Sequence, residues 1–183
     1  MIDLPITADH IRTTLTAYLD EHPEEKPGLA AALYLLDAGA DLTNRREFRG
    51  HVTAGAILAG ADGRILHIHH LATGKWLLPG GHLEVSDSAL LEAALRELSE
   101  ETGIPSGNAT PMNGKPIHID VHPIDANDAK GEPDHQHFDF RFLFRTDTDV
   151  RQLQTEEVTD ADWRDVDSIS DDTLRGRIAQ ALR

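Results

Sequence analysis

Cysteine is absent from the 183 residues, which removes disulfides and thiolate metal sites from consideration. Basic side chains are scarce beside acidic ones, 17 Lys and Arg against 32 Asp and Glu, for a formal charge of −15. That balance argues against a broad nucleic-acid surface, which needs basic patches. It leaves room for a small phosphorylated substrate wherever metal ions screen the acidic groups. Long apolar runs are missing as well. The longest, Leu29 to Leu36, is too short to cross a bilayer, and the first twenty residues carry Asp3, Asp9 and Asp20 where a signal peptide would have its apolar core. These absences predict a soluble cytoplasmic protein without membrane association. Neither repeats nor low-complexity tracts occur, and the length suits one domain, or one domain with an extension.

What is present concentrates in Gly80 to Ile104, GGHLEVSDSALLEAALRELSEETGI. A helix over residues 88–102 would place Glu97, Glu100 and Glu101 at i, i+3 and i+4, so that three carboxylates share one face. Leu91, Ala94, Leu95 and Leu98 form the opposing apolar stripe. Ser86, Asp87 or Ser88 could cap its start, and Gly103 suits the position just past its end. Three carboxylates near a helix C-terminus are badly placed, since that end favours cations and each like-charged neighbour costs about 0.2–0.5 kcal/mol. Arg96 neutralises one of them. A hard divalent cation would relieve the rest, and the competing account is a solvated acidic face.

The wording of this stretch resembles the Nudix box: a glycine, five residues, a glutamate, seven residues, then R-E-U-x-E-E-x-G-U, with U a bulky aliphatic. Arg96, Glu97, Leu98, Glu100, Glu101, Gly103 and Ile104 match the second half, and Gly80-Gly81 after Leu77-Leu78-Pro79 matches the entry. One departure stands out. Counting from Gly81, the first glutamate falls on Asp87, with eight residues rather than seven before Arg96. This one-residue insertion leaves open whether Asp87 partners Arg96. The resemblance implies a Nudix-like α/β/α sandwich around a mixed sheet, spanning residues 49–183, with residues 1–48 as a helical N-terminal extension.

Along the chain, residues 7–20 read as a helix capped by Thr7, with Ile11, Leu15, Tyr18 and Leu19 on one face. A second helix is expected from about Glu25 to Asp37, closed by Gly39. This pair is either a packing extension or a lid or dimer surface, and its lack of chemistry-bearing residues favours packing. Strand patterns follow at 51–58 and 64–70, joined by an Asp62-Gly63 turn, and at 75–78. Residues 105–115 read as loop. Residues 116–124 alternate Ile117, Ile119 and Val121 against His118, Asp120 and His122. Residues 137–144 alternate Phe138, Phe140, Phe142 and Phe144 against His137, Asp139 and Arg141, which predicts a central strand with a buried phenylalanine face. A last strand is expected at 161–166 and a last helix at 171–182.

The resemblance implies a metal-dependent pyrophosphohydrolase that cleaves the diphosphate linkage of a nucleoside diphosphate derivative or a nucleoside triphosphate. Its ligands would be Glu97, Glu100 and Glu101 with the Gly80 carbonyl, Arg96 would complete the catalytic set, and the ion would be Mg2+, with Mn2+ as the substitute. The chain would then act as a monomer or homodimer on small nucleotides. For the histidine-bearing strands, three readings stand: a polar strand face, a substrate cleft with His137 or Glu132 as general base, or a second, histidine-based transition-metal site. Arg141, Lys130, Arg49 and His118 are the candidates for binding substrate, and Glu156 or Glu157 for a further acidic group. The isomerase chemistry found in the family needs a cysteine, and the dinucleoside polyphosphate hydrolases carry a tyrosine downstream of the box, whereas Tyr18 and Tyr34 lie upstream. The alternative from another class is a nucleotide-binding regulatory module on the same fold that has lost hydrolysis.

Overall fold

The computed structural model of the chain describes residues 5–150, 153 and 156–183. Helical spacing of Ile11, Leu15 and Tyr18 builds α1 (Ala8–Glu21), whose cap is Thr7, its hydroxyl oxygen accepting the His10 N–H at 3.1 Å. The second helix, α2, runs Ala30–Asp37. It starts later than the sequence predicts because Pro23–Glu25 forms a separate 3-10 turn and Pro27 has no N–H to give.

The sheet is organised on two neighbouring strands. β1 (His51–Ala59) is buried along its whole length, and β7 (His135–Arg145) lies parallel beside it, in register from His51 opposite His137 to Ala59 opposite Arg145. On the far side of β7, β6 (His118–Ile124) and the short β5 (Thr110–Pro111) pair antiparallel. On the other side of β1 are β2 (Ile65–His70) and β4 (Gly80–His82), both antiparallel to it. β3 (Lys75–Leu77) and β8 (Val158–Arg164) in turn pair with β2. The result is an eight-stranded mixed sheet. Three of these strands differ from expectation: Gly80–His82 forms a strand where the sequence suggests a turn, Thr110–Pro111 adds a bridge inside the expected loop, and the last strand spans Val158–Arg164 rather than 161–166. The Asp62-Gly63 turn forms as expected, with Gly63 at φ 81°.

Strand alternation sends Val52, Ala54, Ala56 and Leu58 to one face of the sheet with Phe138, Phe140, Phe142 and Phe144. All four rings are buried, each contributing about 1.5–3 kcal/mol. They share one apolar cluster with Ile11, Leu15 and Leu35 of α1 and α2, and with Leu90, Ala94 and Leu98 of α3 (Leu90–Thr102). The N-terminal helices therefore pack into the main core. On the opposite face, Ile57, Ala59 and Leu143 pack against Leu174 and Ile178 of α4 (Asp172–Ala181). That apolar patch covers one end of the face. The other end carries His51, Thr53, His137, Asp139 and Arg141. No helix of the described residues is long and apolar enough to cross a membrane.

Helix α3 starts differently from the capping expected of Ser86, Asp87 or Ser88. Its N-cap is Ala89, without a side-chain hydrogen bond. Instead, Nε2 of His10 on α1 accepts the Leu90 N–H at 3.2 Å, while Asp87 is committed elsewhere. A tertiary contact has replaced the local cap. At the other end Gly103 adopts the left-handed conformation, φ 68°, and closes the helix as expected.

Candidate active site

The buried face of α3 sets which way its carboxylates point. With Leu90, Ala94 and Leu98 inward, Glu97 and Glu101 lie over β4, and Glu100 lies nearer solvent. Gly80 and Gly81 make this approach feasible. The Gly80 N–H donates to Glu101 Oε2 at 3.1 Å, and a Cβ placed on Gly81 would lie 2.5 Å from Glu97 Oε1. Glu101 is 2% exposed, whereas the Glu100 side chain is 47% exposed.

Arg96 sits at the hub. Its Nε and Nη2 donate to the two oxygens of Asp87 at 2.9 and 3.0 Å, its Nη1 donates to Glu97 and Glu100 at 3.0 Å each, and Nη2 also reaches the His82 carbonyl at 2.9 Å. Asp87, 4% exposed, further accepts the Glu84 N–H at 2.7 Å. The inserted residue is thus absorbed in the loop, and Asp87 does partner Arg96. Burial pushes the Glu97 carboxyl up to about 7, against the pull of Arg96, with Glu100 and Glu157 adding to the rise. Glu101 is pushed up to about 8, first by burial and then by the charge of Glu97, with Glu157 again contributing. Glu157, weakly marked in the sequence, lies in the turn before β8, where its backbone carbonyl accepts the Leu71 N–H at 2.8 Å.

Arg96, Glu97, Glu100, Glu101 and Gly80 are brought together as the sequence predicts. The remaining candidates scatter. Arg141 lies on the polar sheet face and is engaged by Asp139 at 2.8 Å and Asp120 at 3.1 Å, so any anion there would compete with two carboxylates. His118, opposite Arg141 in register, is buried with its Nε2 3.9 Å from Asp171. Glu132 pairs with Arg45 at 3.3 Å. Arg49 is exposed and folds back on Glu47 at 2.7 Å, and Lys130 is exposed in a 3-10 turn. Among the described ion pairs, none joins Arg49 or Lys130 to the α3 carboxylates.

Histidine 137 lies in a cluster that the sequence only half reveals. His51, His82, His122 and His135 have ring centroids 4.7, 5.2, 5.5 and 5.1 Å from its own. Burial and then these neighbouring imidazoles push His137 down to about 2, and His82 falls to about 4, chiefly by burial. His51 and His82 were missed because only the β1–β7 and β1–β4 pairings, His51 with His137 and Thr53 with His82, carry them to the cluster. The available signal was His51 at the head of a strand, which by itself names no partner.

Fold and site together define a mixed α/β sandwich that presents an oxygen-rich acidic centre on a helix and the glycine turn before it. The chain belongs to the Nudix family, since the NUDIX domain matches residues 49–183. It is 31% identical over 112 residues to the "Probable DHNTP pyrophosphohydrolase" of Lactococcus lactis subsp. cremoris, a match covering 58% of this chain and 64% of that protein. It is 49% identical over 59 residues to "Phosphatase NudJ" of Escherichia coli K12, covering 31% and 37%. The chain thus spans less than two thirds of the length of these curated relatives. A NUDIX-family hydrolase from Clostridium perfringens superposes with a TM-score of 0.53 over 72% of this chain and 95% of that one, and at 22% identity the likeness shows the fold alone.

Proposed function

We propose that the chain is a divalent-metal-dependent hydrolase that cleaves the diphosphate linkage of a nucleoside diphosphate derivative or a nucleoside triphosphate. The observation that carries this reading is the trio Glu97, Glu100 and Glu101, with Glu101 buried against the Gly80 N–H and Arg96 as the shared counter-charge of Glu97 and Glu100. The donor set fits a hard ion: it is all oxygen, three carboxyl groups beside a single guanidinium. Those three side chains, with the Gly80 carbonyl, would hold magnesium, with manganese as a substitute. Such an ion neutralises phosphate oxygens and acidifies water.

The protein's own residues do the positioning. Arg96 locks Glu97 and Glu100 in place, the Gly80 N–H orients Glu101, and the bare Cα of Gly81 lets Glu97 lie against the turn. Glu157, in the acidic segment before β8 where the family resemblance allows a further acidic group, is the residue we assign to take the proton of the attacking water. His137 and Glu132 fit that role less well, one enclosed by imidazoles and the other held by Arg45.

The test is phosphate and pyrophosphate release from a panel of nucleoside triphosphates, nucleotide sugars and dinucleotides, with and without magnesium. DHNTP belongs on the panel because the Lactococcus relative bears that name. Glu100→Gln and Glu101→Gln are expected to lower turnover by at least about 100-fold, as loss of a metal-ligand carboxylate would. Near wild-type turnover in either variant would refute the assignment. Tight nucleotide binding without turnover of any panel member would favour the non-hydrolytic module instead.

A further inference from the structure

The imidazole cluster lies at one end of the polar sheet face and is built from strands that the α3 carboxylates do not use. His51 opens β1. His135 and His137 alternate along β7, and the parallel register sets His51 beside His137. One nitrogen from each of these three rings lies within 4.8 Å of the others. His51 is 1% exposed and His135 8%.

The hydrogen bonds around two of these rings fix where their protons are. A carbonyl oxygen only accepts. So Nδ1 of His51, 3.3 Å from the Glu47 carbonyl, and Nδ1 of His135, 2.8 Å from the Pro133 carbonyl, both act as donors. In a neutral ring this leaves Nε2 of each as a bare lone pair. Nε2 of His51 is fully buried and has no partner among the described residues. A buried acceptor left in that state costs about 1–3 kcal/mol. Nε2 of His135 faces Nε2 of His137 at 3.3 Å. With Zn–N distances of about 2.0–2.1 Å and tetrahedral angles, two imidazole nitrogens on one ion stand about 3.3 Å apart.

We propose that His51, His135 and His137 form a binding site for one transition-metal ion of the zinc class, separate from the carboxylate site on α3. The donor chemistry selects the ion, because imidazole suits zinc, copper, nickel and cobalt, whereas magnesium takes oxygen ligands. The Glu47 and Pro133 carbonyls act as the outer-shell acceptors that hold two ligand rings in the binding tautomer. Beside the trio stand His82, with its ring centroid 5.2 Å from both His51 and His137, and the Arg45–Glu132 pair. The fourth position of the shell falls to water or to one of these neighbours.

The experiment uses the full chain, stripped with chelator and held in millimolar magnesium so that the carboxylates are occupied by a hard ion. Zinc is titrated by calorimetry, and cobalt(II) by visible absorption, whose intensity reports tetrahedral nitrogen ligation. One equivalent of zinc is expected to bind despite the magnesium. Loss of an outer-shell partner already costs about 10–100-fold in affinity, so His137→Asn is expected to weaken binding by more than about 100-fold. Glu101→Gln should leave it unchanged. His51→Gln tests the buried ligand. Should that variant misfold, nitrogen-15 shifts of the imidazoles in the unaltered protein replace it, with Nε2 of all three histidines moving on addition of zinc. No zinc uptake in excess magnesium would overturn the proposal, as would binding that survives His137→Asn or disappears with Glu101→Gln.

Discussion

Replacing Asp87 by alanine would remove the carboxylate that anchors the α3 loop to Arg96, and the structure sets the size of the effect. Two charge-assisted bonds, at 2.9 and 3.0 Å, and one backbone contact at 2.7 Å would be lost from a side chain only 4% exposed. Removing one partner of a buried ion pair typically costs about 3–5 kcal/mol. Here the figure should be smaller, because Arg96 is 17% exposed and keeps Glu97, Glu100 and the His82 carbonyl. About 2–3 kcal/mol is expected, since the surviving partners leave no uncompensated charge. For a chain of this length, that corresponds to a fall in Tm of about 5–10 °C. Urea unfolding at constant m-value measures it, with the exposed Ser86→Ala as the control, expected to stay within about 0.5 kcal/mol as a surface substitution. Asp87→Asn keeps the shape and loses the charge, so it should fall between the two. Freed from Asp87, Arg96 would lean further onto Glu97 and Glu100 and compete with the cation, raising the magnesium concentration needed for activity. A loss below about 0.5 kcal/mol for Asp87→Ala would refute the view that this residue substitutes for the box glutamate, since that lies in the range of an ordinary surface change.

Gly81→Ala places a Cβ 2.5 Å from Glu97 Oε1. Displacing that carboxylate by even about 1 Å should lower kcat/KM by roughly 100-fold while the fold persists, and unchanged kinetics would show that Glu97 is not needed where it lies. His67, buried in β2, is held below the ordinary histidine pKa by burial, against its bond to the Ile65 carbonyl; Arg164 adds to the lowering and Asp162 opposes it. Below about pH 6.5 the unfolded chain gains a proton that the folded chain refuses, so this residue makes stability fall with falling pH, by up to about 1.4 kcal/mol per unit. Urea midpoints between pH 7 and 5 should therefore slope less steeply in His67→Gln, and equal slopes would exclude the effect. Arg177→Ala removes the α4 side chain that donates to Tyr18 Oη at 2.6 Å and to the Ile117 carbonyl at 3.1 Å, and that pairs with Glu25. A loss of about 1.5–3 kcal/mol with turnover intact is expected. Reduced turnover at full stability would instead place this junction in the catalytic cycle.

The sequence was most informative where one local pattern fixed both structure and chemistry. The i, i+3, i+4 spacing of Glu97, Glu100 and Glu101 placed all three on one side of a helix, and the alternating phenylalanines of β7 marked a strand buried against helices. It was least informative where contacts join distant segments. The apolar stripe of α3 turns toward Leu90 and Ala93 rather than Leu91 and Leu95, because α1 also packs against the cluster and supplies His10 to the first turn. Nothing near Ser86–Ser88 announces a cap from a residue 80 positions away. Arg141 shows the same limit from the other side. On a polar face beside Asp139 it suggests phosphate, but the pairing of β6 with β7 brings Asp120 to it as well, and the guanidinium is already spoken for.

The polar face therefore holds its charges in an order that bears on specificity. Along β7, two imidazoles come first, then Asp139 tied to Thr53 at 3.0 Å, then Arg141 tied to Asp139 and Asp120. The cation on this face is neutralised, and the face overall offers lone pairs and carboxylates. An anionic substrate approaching such a surface needs cations between itself and the protein, a requirement that the net charge of −15 reinforces. Oxygen donors on α3 suit one class of ion and imidazoles on β1 and β7 suit another, so the two centres need not compete for the same metal. Magnesium and zinc titrations of activity should then be additive in their effects if the centres act independently. A zinc effect that magnesium abolishes would place both ions on the carboxylates of α3.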